Sequence, residues 1–402
     1  MIIKTAVSVT TDAFLCDAKD CIFLTYTITF SDKTIIRGQL SAYYPVTLEH
    51  MFDFTIIKNY FQIFICQLFL YNGIINLECD IYEESLYKQV THALYAIRNY
   101  EEGTTIYPQG YQVKNCNINN VKSSPNRNVM NLVSGGKDSL VSDYLLEINN
   151  AKIFRCFING LNTESNIEEQ KACCELYDNF DTIKLNGFEK LLSQLSAISN
   201  CYGIPPRYNF IPKGRDILTL ILVYPLAVNR ECSFISHGCE KDLWDNNIIV
   251  KNVEIPLHDS QSKLVIKPLS QQIKYATNLH VFSPIAGMHE IYILSWLLNN
   301  HPVKIQHLQS CFFGQWCGEC QKCLRYYLIA KKCNQQLFEF KNDPEKSLSS
   351  LQNQLYNITS RSSIGFYKEF CYLLGDNSFK KELFTPVYDD LFPSFFKKWE
   401  LL

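Results

Sequence analysis

The sequence predicts an α/β fold in which a parallel sheet carries helices on both faces. One observation is an apolar run that begins at Val129, passes through a glycine-rich turn and continues into a segment with Leu140, Tyr144 and Ile148 on one helical face. The other is that strand-like and helix-like segments alternate from this point to Ser236. Such alternation is typical of parallel sheets covered on both faces, whose ligands bind at the carboxyl ends of the strands.

Local periodicity predicts the individual elements. Beyond the first pair, the predicted strands of this part are residues 153–158, 182–185 and 232–236, and the predicted helices are 168–177, 189–198, 217–228 and 324–332. Near the start of the chain, residues 21–30 and 33–40 are rich in Thr, Ile, Tyr and Phe and are predicted to be strands. Residues 82–100 are predicted to be a helix, whereas residues 56–70 fit either a buried strand pair or a helix.

Changes in pattern along the chain predict its domain organisation. Residues 1–122 form an accessory α+β domain, and the polar stretch around Ser123, Ser124 and Pro125 makes 123–128 a linker. Residues 129–333 form the main domain, and 334–402 form a helical extension with aromatic residues at intervals. The aromatic residues of the first domain are interpreted as core.

Composition limits the classes of function. The chain has 402 residues with 38 Lys plus Arg and 40 Asp plus Glu, so its net charge of -2 gives no sign of a nucleic-acid-coating or membrane-surface protein. Its longest apolar run, residues 217–228, is shorter than the roughly 20 residues that cross a bilayer. Seventeen cysteines without a signal-peptide pattern indicate reduced thiols and a cytoplasmic location.

The glycine-rich turn has the chemistry of a phosphate site. Gly135 and Gly136 allow a sharp turn and a close approach of the backbone to a ligand, and the following helix directs its first amides at an anion. The turn lacks the Gly-x-x-x-x-Gly-Lys-Ser/Thr pattern of nucleoside triphosphatases, because Lys137 is followed by Asp138. An ordinary strand-to-helix turn is the alternative.

Four cysteines near residue 320 predict a metal site. Three of them stand at Cys-x-x-Cys spacing, and four thiolates can close a tetrahedral site around one structural Zn²⁺. An iron–sulfur cluster, a redox pair and buried free thiols are the alternatives. The predicted ligands are Cys311, Cys317, Cys320 and Cys323.

The motif Ser134-Gly-Gly-Lys-Asp-Ser139 resembles the pyrophosphate loop of the ATP pyrophosphatase (PP-loop) superfamily, whose fold is the adenine nucleotide α-hydrolase-like sheet. Within it, the late Cys317-Gly-Glu-Cys-Gln-Lys-Cys323 resembles the zinc cluster of the 7-cyano-7-deazaguanine synthases. Two looser similarities to that family are residues 210–218, around Arg215, and the loop Gly238-Cys-Glu-Lys-Asp242. The resemblance covers residues 129–332, about half of the chain.

The resemblance implies an ATP-dependent carbon–nitrogen ligase that uses Mg²⁺. A carboxylate, 7-carboxy-7-deazaguanine in that family, would attack the α-phosphorus of ATP and release pyrophosphate, and ammonia or another amine would then displace AMP. Ser134, Asp138, Ser139 and Arg215 would carry catalysis, and ATP would be held by Ser134, Gly135, Gly136, Lys137, Asp138, Ser139 and Arg215. Lys137 occupies the variable position of the motif, so no catalytic role is carried over to it. Gly238, Glu240 and Asp242 would face the substrate.

Departures from the family pattern indicate a specialised relative. Lys213 is an additional residue in the Pro-Gly-Arg segment, Asp216 replaces an Asn, and Asn159-Gly-Leu-Asn-Thr163 stands where the family has Tyr-Gly-Gln-Arg-His. Relatives of this kind occur in bacterial antiviral defence systems, which implies a protein acceptor or a defence partner in a homo- or hetero-oligomer. Two further functions stay open: a nucleotide-sensing or scaffolding subunit, and a transfer-RNA-modifying PP-loop enzyme with Cys239 as its reactive thiol.

Overall fold

The computed structural model describes most of the chain as a mixed α/β protein. The described residues are 6–30, 32–49, 52–67, 76–81, 89, 92–93, 96, 111–115, 126–161, 166–201, 215–250, 252–256, 261–311, 316–335, 338–348 and 366–401. Most of the predicted helix 82–100 lies outside them, as do residues 123–125 of the stretch proposed as a linker.

Twelve strands are present in the described residues. They are β1 Ala6–Leu15, β2 Cys21–Phe30, β3 Ile35–Tyr43, β4 Asn76–Ile81, β5 Tyr111–Asn115, β6 Asn128–Leu132, β7 Lys152–Asn159, β8 Asp181–Asn186, β9 Phe234–Ser236, β10 Asn247–Val250, β11 Val253–Pro256 and β12 His280–Phe282. The longer helices are Phe54–Gln67, Lys137–Ile148, Asn166–Leu176, Phe188–Cys201, Arg215–Asn229, Lys263–Thr277, Glu290–Asn300 and Gln321–Lys332. Shorter helices are Lys241–Trp244, Pro302–Ile305, Tyr367–Leu373, Asn377–Phe379 (3₁₀) and Lys380–Leu383.

Ten of these strands form one sheet in the order β12-β9-β6-β7-β8-β3-β2-β1-β4-β5. The first five of them are parallel to one another, which confirms the prediction of a parallel sheet with intervening helices. The apolar run at residues 129–133 forms the central strand, β6, whose Val129 and Met130 are fully buried. The ambiguous stretch 56–70 is a helix, Phe54–Gln67.

The N-terminal strands extend this same sheet. β3 pairs antiparallel with β8 through Ser41, Ala42 and Tyr43, so the described N-terminal strands are continuous with the parallel strands. Side chains add to this connection, because the Tyr44 hydroxyl donates to the Leu222 carbonyl at 2.9 Å and the Tyr26 hydroxyl donates to Gln194 at 2.6 Å. The N-terminal part therefore stiffens one edge of the parallel strands.

Candidate functional site

The strand order places a crevice at the carboxyl ends of β6 and β9. From β6 the chain passes to β7 and β8 on one side, and after β8 it returns to the other side of β6 as β9. At such a reversal the loops that follow the two neighbouring strands diverge and leave room for a ligand. The loop after β6 is the glycine-rich turn 133–136, and the loop after β9 is 237–240. Both predicted loops therefore meet at one place.

The glycine-rich turn is held in a defined shape. Gly135 has a φ of 71°, and Gly136 is the N-cap of the helix Lys137–Ile148 without a side-chain cap. The Ser139 hydroxyl donates to the Gly136 carbonyl at 3.0 Å and accepts from the Tyr177 hydroxyl at 3.2 Å. Ser134 is exposed at the mouth of the turn. The first amides of the helix are thus left without a side-chain cap beside an exposed hydroxyl, which is the arrangement of an anion site.

We expect Gly135→Ala to destabilise the protein by about 2–4 kcal/mol, because a left-handed alanine is strained and its methyl group collides with a neighbouring helix. The new Cβ would lie 2.5 Å from Cβ of Ala172 and 3.0 Å from the Glu169 carbonyl oxygen. Gly136→Ala is the matched control, since Gly136 has a φ of -91° and its nearest neighbours would lie 3.6 Å away. Chemical denaturation measures both variants. Equal stability of the two would contradict the described turn.

The loop after β9 packs directly on the first turn of the helix Lys137–Ile148. A Cβ on Gly238 would lie 3.2 Å from the Asp138 carbonyl oxygen, so this position needs a small residue. Two residues on, the Glu240 carboxylate accepts from Lys137 Nζ at 2.6 Å and is buried. The structure thus joins Gly238 and Glu240, both predicted to face a substrate, to the glycine-rich turn.

Lys137 is the centre of a buried charge cluster. Its Nζ lies 2.5 Å from Asp138, 2.6 Å from Glu240 and 3.2 Å from Glu290, while its side chain is only 3% exposed. Glu290 Oε2 in turn lies 2.9 Å from Arg325 Nη2 and forms an ion pair with it. The lysine ammonium therefore has three carboxylate partners, and it joins the first turn of this helix to the loop after β9 and to the helix Glu290–Asn300.

Burial and charge oppose each other in this cluster. Burial alone would lower the pKa of Lys137, but Asp138, Glu240 and Glu290 together raise that pKa well above its usual value. Burial raises the pKa of Glu240 to about 8, with Asp138 adding to the shift and Lys137 opposing it. The three carboxylates thus keep Lys137 charged, whereas burial opposes ionisation of Glu240.

Arg215 and Asp216 begin the helix that leads into β9. This helix ends before β9 starts, so its first residues lie at the carboxyl edge of the parallel strands. Asp216 contacts His237 there, with 3.2 Å between its Oδ1 and the imidazole Nε2. Arg215 is therefore placed at the edge of the sheet that carries the two loops. Residues 202–214, which include most of the Pro-Gly-Arg segment, lie outside the described residues.

Asp242 is turned into the protein. Its Oδ1 lies 2.7 Å from His289 Nδ1, its Oδ2 accepts from the Glu290 amide at 3.0 Å, and the residue is 2% exposed. Glu369, from the C-terminal part, accepts from the Ile291 amide at 2.8 Å. Asp242 therefore positions the start of the helix Glu290–Asn300, from which Glu290 reaches Lys137.

The four predicted metal-binding cysteines come together. The sulfur atoms of these residues all lie within 4.8 Å of one another, so the group could hold a metal ion; its members are Cys311, Cys317, Cys320 and Cys323. Backbone amides of Glu319 and Cys320 donate to Cys317 Sγ at 3.4 and 3.3 Å. The 3.8 Å between Cys317 Sγ and Cys323 Sγ equals the edge of a tetrahedron with metal–sulfur bonds of about 2.3 Å.

The stretch before this quartet lines the phosphate turn. The Gln309 amide donates to the Gly135 carbonyl at 2.9 Å, and the Ser310 hydroxyl lies 2.9 Å from the Tyr326 hydroxyl. The helix Gln321–Lys332, which carries Cys323 itself, contributes Tyr326 and Arg325, whose side chains are buried beside the charge cluster. The quartet is therefore a neighbour of the turn and fixes the chain on both sides of it.

Sequence reasoning missed several residues of this site, namely Tyr177, His289, Glu290, Arg325, Tyr326 and Glu369. None of them belongs to a compact catalytic or metal-binding motif. Glu290 begins a helix whose next residues, Ile291, Ile293 and Leu294, are buried. An isolated carboxylate before an apolar helix was the available signal, but a helix start with an acidic first turn produces the same pattern.

Two comparisons with known proteins bear on the chain. A family model described as "Family of unknown function (DUF6395)" matches residues 271–359, which include the quartet, Glu290 and Arg325 but not the phosphate turn. No curated protein matches the sequence. Separately, none of the helices in the described ranges has both the length and the apolar character that crossing a membrane requires.

Proposed function

We propose that this protein is an ATP-dependent ligase of the PP-loop type that activates a carboxylate by adenylation. The observation that carries the proposal is the turn 134–139. It joins the central strand to a helix at the point where the strand order reverses, and it exposes Ser134 beside helix amides without a side-chain cap. A turn of this kind at this place fits the phosphates of a nucleotide.

The residues around the turn fit the chemistry of pyrophosphate release. Backbone amides of the turn would stabilise the negative charge on departing pyrophosphate, which is the electrostatic principle of an oxyanion hole. Lys137 adds a buried positive charge, and Lys322 lies near enough to Lys137, Asp138 and Glu290 for their charges to affect its pKa.

Bound Mg²⁺ would neutralise phosphate oxygens. Asp138 fits this role, because its side chain is 32% exposed at the turn although one oxygen contacts Lys137. Ser139 would act on the turn itself, since its hydroxyl is engaged by Gly136 and Tyr177. Zn²⁺ would occupy the cysteine quartet, where four thiolates leave no open position, and would support the stretch at Gln309.

The proposed reaction joins a carboxylate to a nitrogen nucleophile. A carboxylate oxygen attacks the α-phosphorus and pyrophosphate leaves, so that an acyl-adenylate forms; a nitrogen lone pair then attacks the acyl carbon and AMP leaves. Glu240 adjoins the turn, because its carboxylate accepts from Lys137 Nζ at 2.6 Å, and in this proposal it contributes to the substrate side of the site. The carboxylate proposed is 7-carboxy-7-deazaguanine, and the nucleophile is ammonia or an amine of a partner protein.

The state of Cys239 bears on the transfer-RNA alternative. A thiolation enzyme needs a reactive thiol, and the sequence offered Cys239 for that role. Cys239 is 0% exposed, and its pKa is raised well above the usual value by burial and by Asp216, Asp138 and Glu240. A buried neutral thiol is a poor nucleophile, so the ligase is the better-supported proposal.

The test is ATP–pyrophosphate exchange with the purified full-length protein, Mg²⁺ and 7-carboxy-7-deazaguanine. We expect exchange only when the acid is present, and a loss of at least about 100-fold in Ser134→Ala if this hydroxyl acts on transition-state charge. Ser378→Ala, on an exposed turn, is the control and should exchange normally. Ammonia added to the mixture should then give the amide, and adenylation of the amide oxygen by a second ATP, with loss of AMP, should give the nitrile.

Other outcomes separate the remaining functions. Exchange without an ammonia-dependent product would direct the search to a protein acceptor. ATP binding without exchange for any deazaguanine carboxylate would support the sensing subunit. Failure to bind ATP at all would overturn the assignment of the turn as a phosphate site.

A further inference from the structure

Three buried side chains from distant parts of the chain meet beside the charge cluster of Lys137. Asp242 comes from the short helix after the β9 loop, His289 from the N-cap of the helix Glu290–Asn300, and Glu369 from the C-terminal helix Tyr367–Leu373. One potential ligand atom from each lies within 4.8 Å of the other two. The three residues are 2%, 5% and 0% exposed.

A carboxylate oxygen of this trio has no partner in the described part of the chain. Glu369 Oε2 is buried without a hydrogen bond, whereas Oε1 of the same carboxylate accepts from the Ile291 amide. The 2.7 Å between His289 Nδ1 and Asp242 Oδ1 brings the two other potential ligand atoms together. A buried polar atom without a partner costs about 1–3 kcal/mol, so this carboxylate oxygen indicates an absent partner.

The charges of the surrounding cluster identify the kind of partner. Four carboxylates are buried there, those of Glu240, Asp242, Glu290 and Glu369. The buried cations are Lys137, which pairs with Asp138, Glu240 and Glu290, and Arg325, which pairs with Glu290 and whose charge also acts on Glu369. Neither Asp242 nor Glu369 makes an ion pair with a lysine or arginine among the described residues. A divalent cation between these two carboxylates would supply the positive charge that they lack at close range.

We propose that Asp242, His289 and Glu369 bind a divalent transition-metal ion at a site separate from the cysteine quartet. One imidazole and two carboxylates suit Zn²⁺, Mn²⁺ or Fe²⁺, because nitrogen and oxygen ligands together favour these ions over Ca²⁺. All three side chains are buried, so the ion is structural. It does not touch a substrate.

The position of the site gives the ion a definite role. It would fasten the helix Tyr367–Leu373 to the α/β part, where Arg325 already lies 3.6 Å over the Phe366 ring and Lys332 Nζ donates to the Tyr372 carbonyl at 2.6 Å. His289 precedes Glu290, which contacts Lys137. Metal binding would therefore also fix the carboxylate that positions the lysine of the phosphate turn.

The first test counts metal in the tag-free wild-type protein. We expect metal analysis to find two divalent ions per chain, one in the quartet and one in the trio. After chelation, Co²⁺ should refill both sites, and only the thiolate site should show sulfur-to-metal charge transfer in the near ultraviolet. A single metal equivalent, fully accounted for by the charge-transfer band, would overturn the proposal without the use of any variant.

Variants then assign the second ion. Glu369→Gln keeps the size of the side chain and removes its charge. It should therefore lower the affinity of the trio for its ion by at least about tenfold and leave the ion of the quartet in place. Glu382→Gln is the control, because Glu382 is 43% exposed and pairs with Lys368 on the surface. In Cys320→Ser the non-thiolate ion should persist. If the non-thiolate ion is lost from Cys320→Ser but retained in Glu369→Gln, both ions bind at the quartet, and the proposed site at Asp242, His289 and Glu369 is wrong.

Discussion

Replacing Lys137 with methionine should destabilise the folded protein by about 3–5 kcal/mol, since it removes one side of a buried ion-pair group and leaves the other side uncompensated. Glu240 and Glu290 would keep their buried positions without the ammonium that lies 2.6 and 3.2 Å from them. Methionine preserves most of the length of the side chain, so the change tests the charge and not the packing. The measurement is urea denaturation of both proteins at pH 8.

Lys171→Met is the matched control. Lys171 is 67% exposed and lies 3.5 Å from Glu168 on the surface of a helix, so its replacement should cost less than about 0.5 kcal/mol. The double variant Lys137→Met, Glu240→Gln should recover part of the lost stability, because one of the uncompensated charges is removed with its partner. A Lys137→Met protein as stable as the control variant would show that the lysine does not hold this cluster together.

The pH dependence gives the same variant a second readout. A carboxyl group whose pKa is raised by folding destabilises the protein once it is ionised, so the penalty is fully present above the folded pKa and absent below the unfolded pKa. Burial raises the pKa of Glu240 from 4.5 to about 8, and Lys137 opposes the shift. Without Lys137 this pKa should rise further. The stability gap between the variant and the wild type should therefore narrow as the pH is lowered from 8 towards 5.

The local parts of the fold could be predicted because they repeat a short pattern. The strand at Val129 and the helix carrying Leu140 and Tyr144 depend on burial of one face, and their bounds agree with the prediction within a few residues. β12, His280–Phe282, was not predicted, although it is as short as β9, because the apolar run at residues 232–236 gave a signal that the residues around His280 do not repeat. The pairing of β3 with β8 was also not predicted, because strand neighbours far apart in sequence leave no mark on either segment.

The candidate site divides in the same way. The turn 134–139 and the four cysteines are compact motifs, and the structure brings each set together. Glu290 and Arg325 could not be assigned, because they join Lys137 only through tertiary packing across more than 150 residues. Asp242 shows the opposite case, in which a motif residue was identified but its direction was not: its carboxylate points to His289 and the Glu290 amide. A motif gives the residues of a loop, and only packing decides which of them face the crevice.

The second large effect is expected at the cysteine quartet, where Cys320→Ser should remove one Zn²⁺ and destabilise the protein by several kcal/mol. Binding of structural Zn²⁺ contributes directly to folding free energy, by about 10–16 kcal/mol in isolated zinc-finger peptides. Cys320 has a second role besides that of a metal ligand. It is the N-cap of the helix Gln321–Lys332, and its sulfur accepts from the Cys323 amide at 3.4 Å. Metal analysis and thermal unfolding with and without a chelator measure the two effects.

Cys333→Ser is the control for this change. Cys333 is the C-cap of the same helix and lies outside the quartet, so this variant should keep the full metal content and unfold within a few degrees of the wild type. If the protein instead contains iron and absorbs visible light, the group bound by the four thiols is an iron–sulfur cluster and not Zn²⁺. Unchanged metal content in Cys320→Ser would contradict a metal role for the quartet altogether.

Loss of the quartet metal should also change the conformational freedom of the turn 134–139. The chain passes from Gln309, whose amide donates to the Gly135 carbonyl at 2.9 Å, to Cys311 within two residues. If the metal no longer holds Cys311, this hydrogen bond loses its support and the turn gains conformational freedom that a bound phosphate must remove. We therefore expect ATP affinity to fall in Cys320→Ser at a temperature where the variant is still folded, while Cys333→Ser binds normally. Equal ATP affinity of the two variants would show that the quartet stabilises its own loop and nothing beyond it.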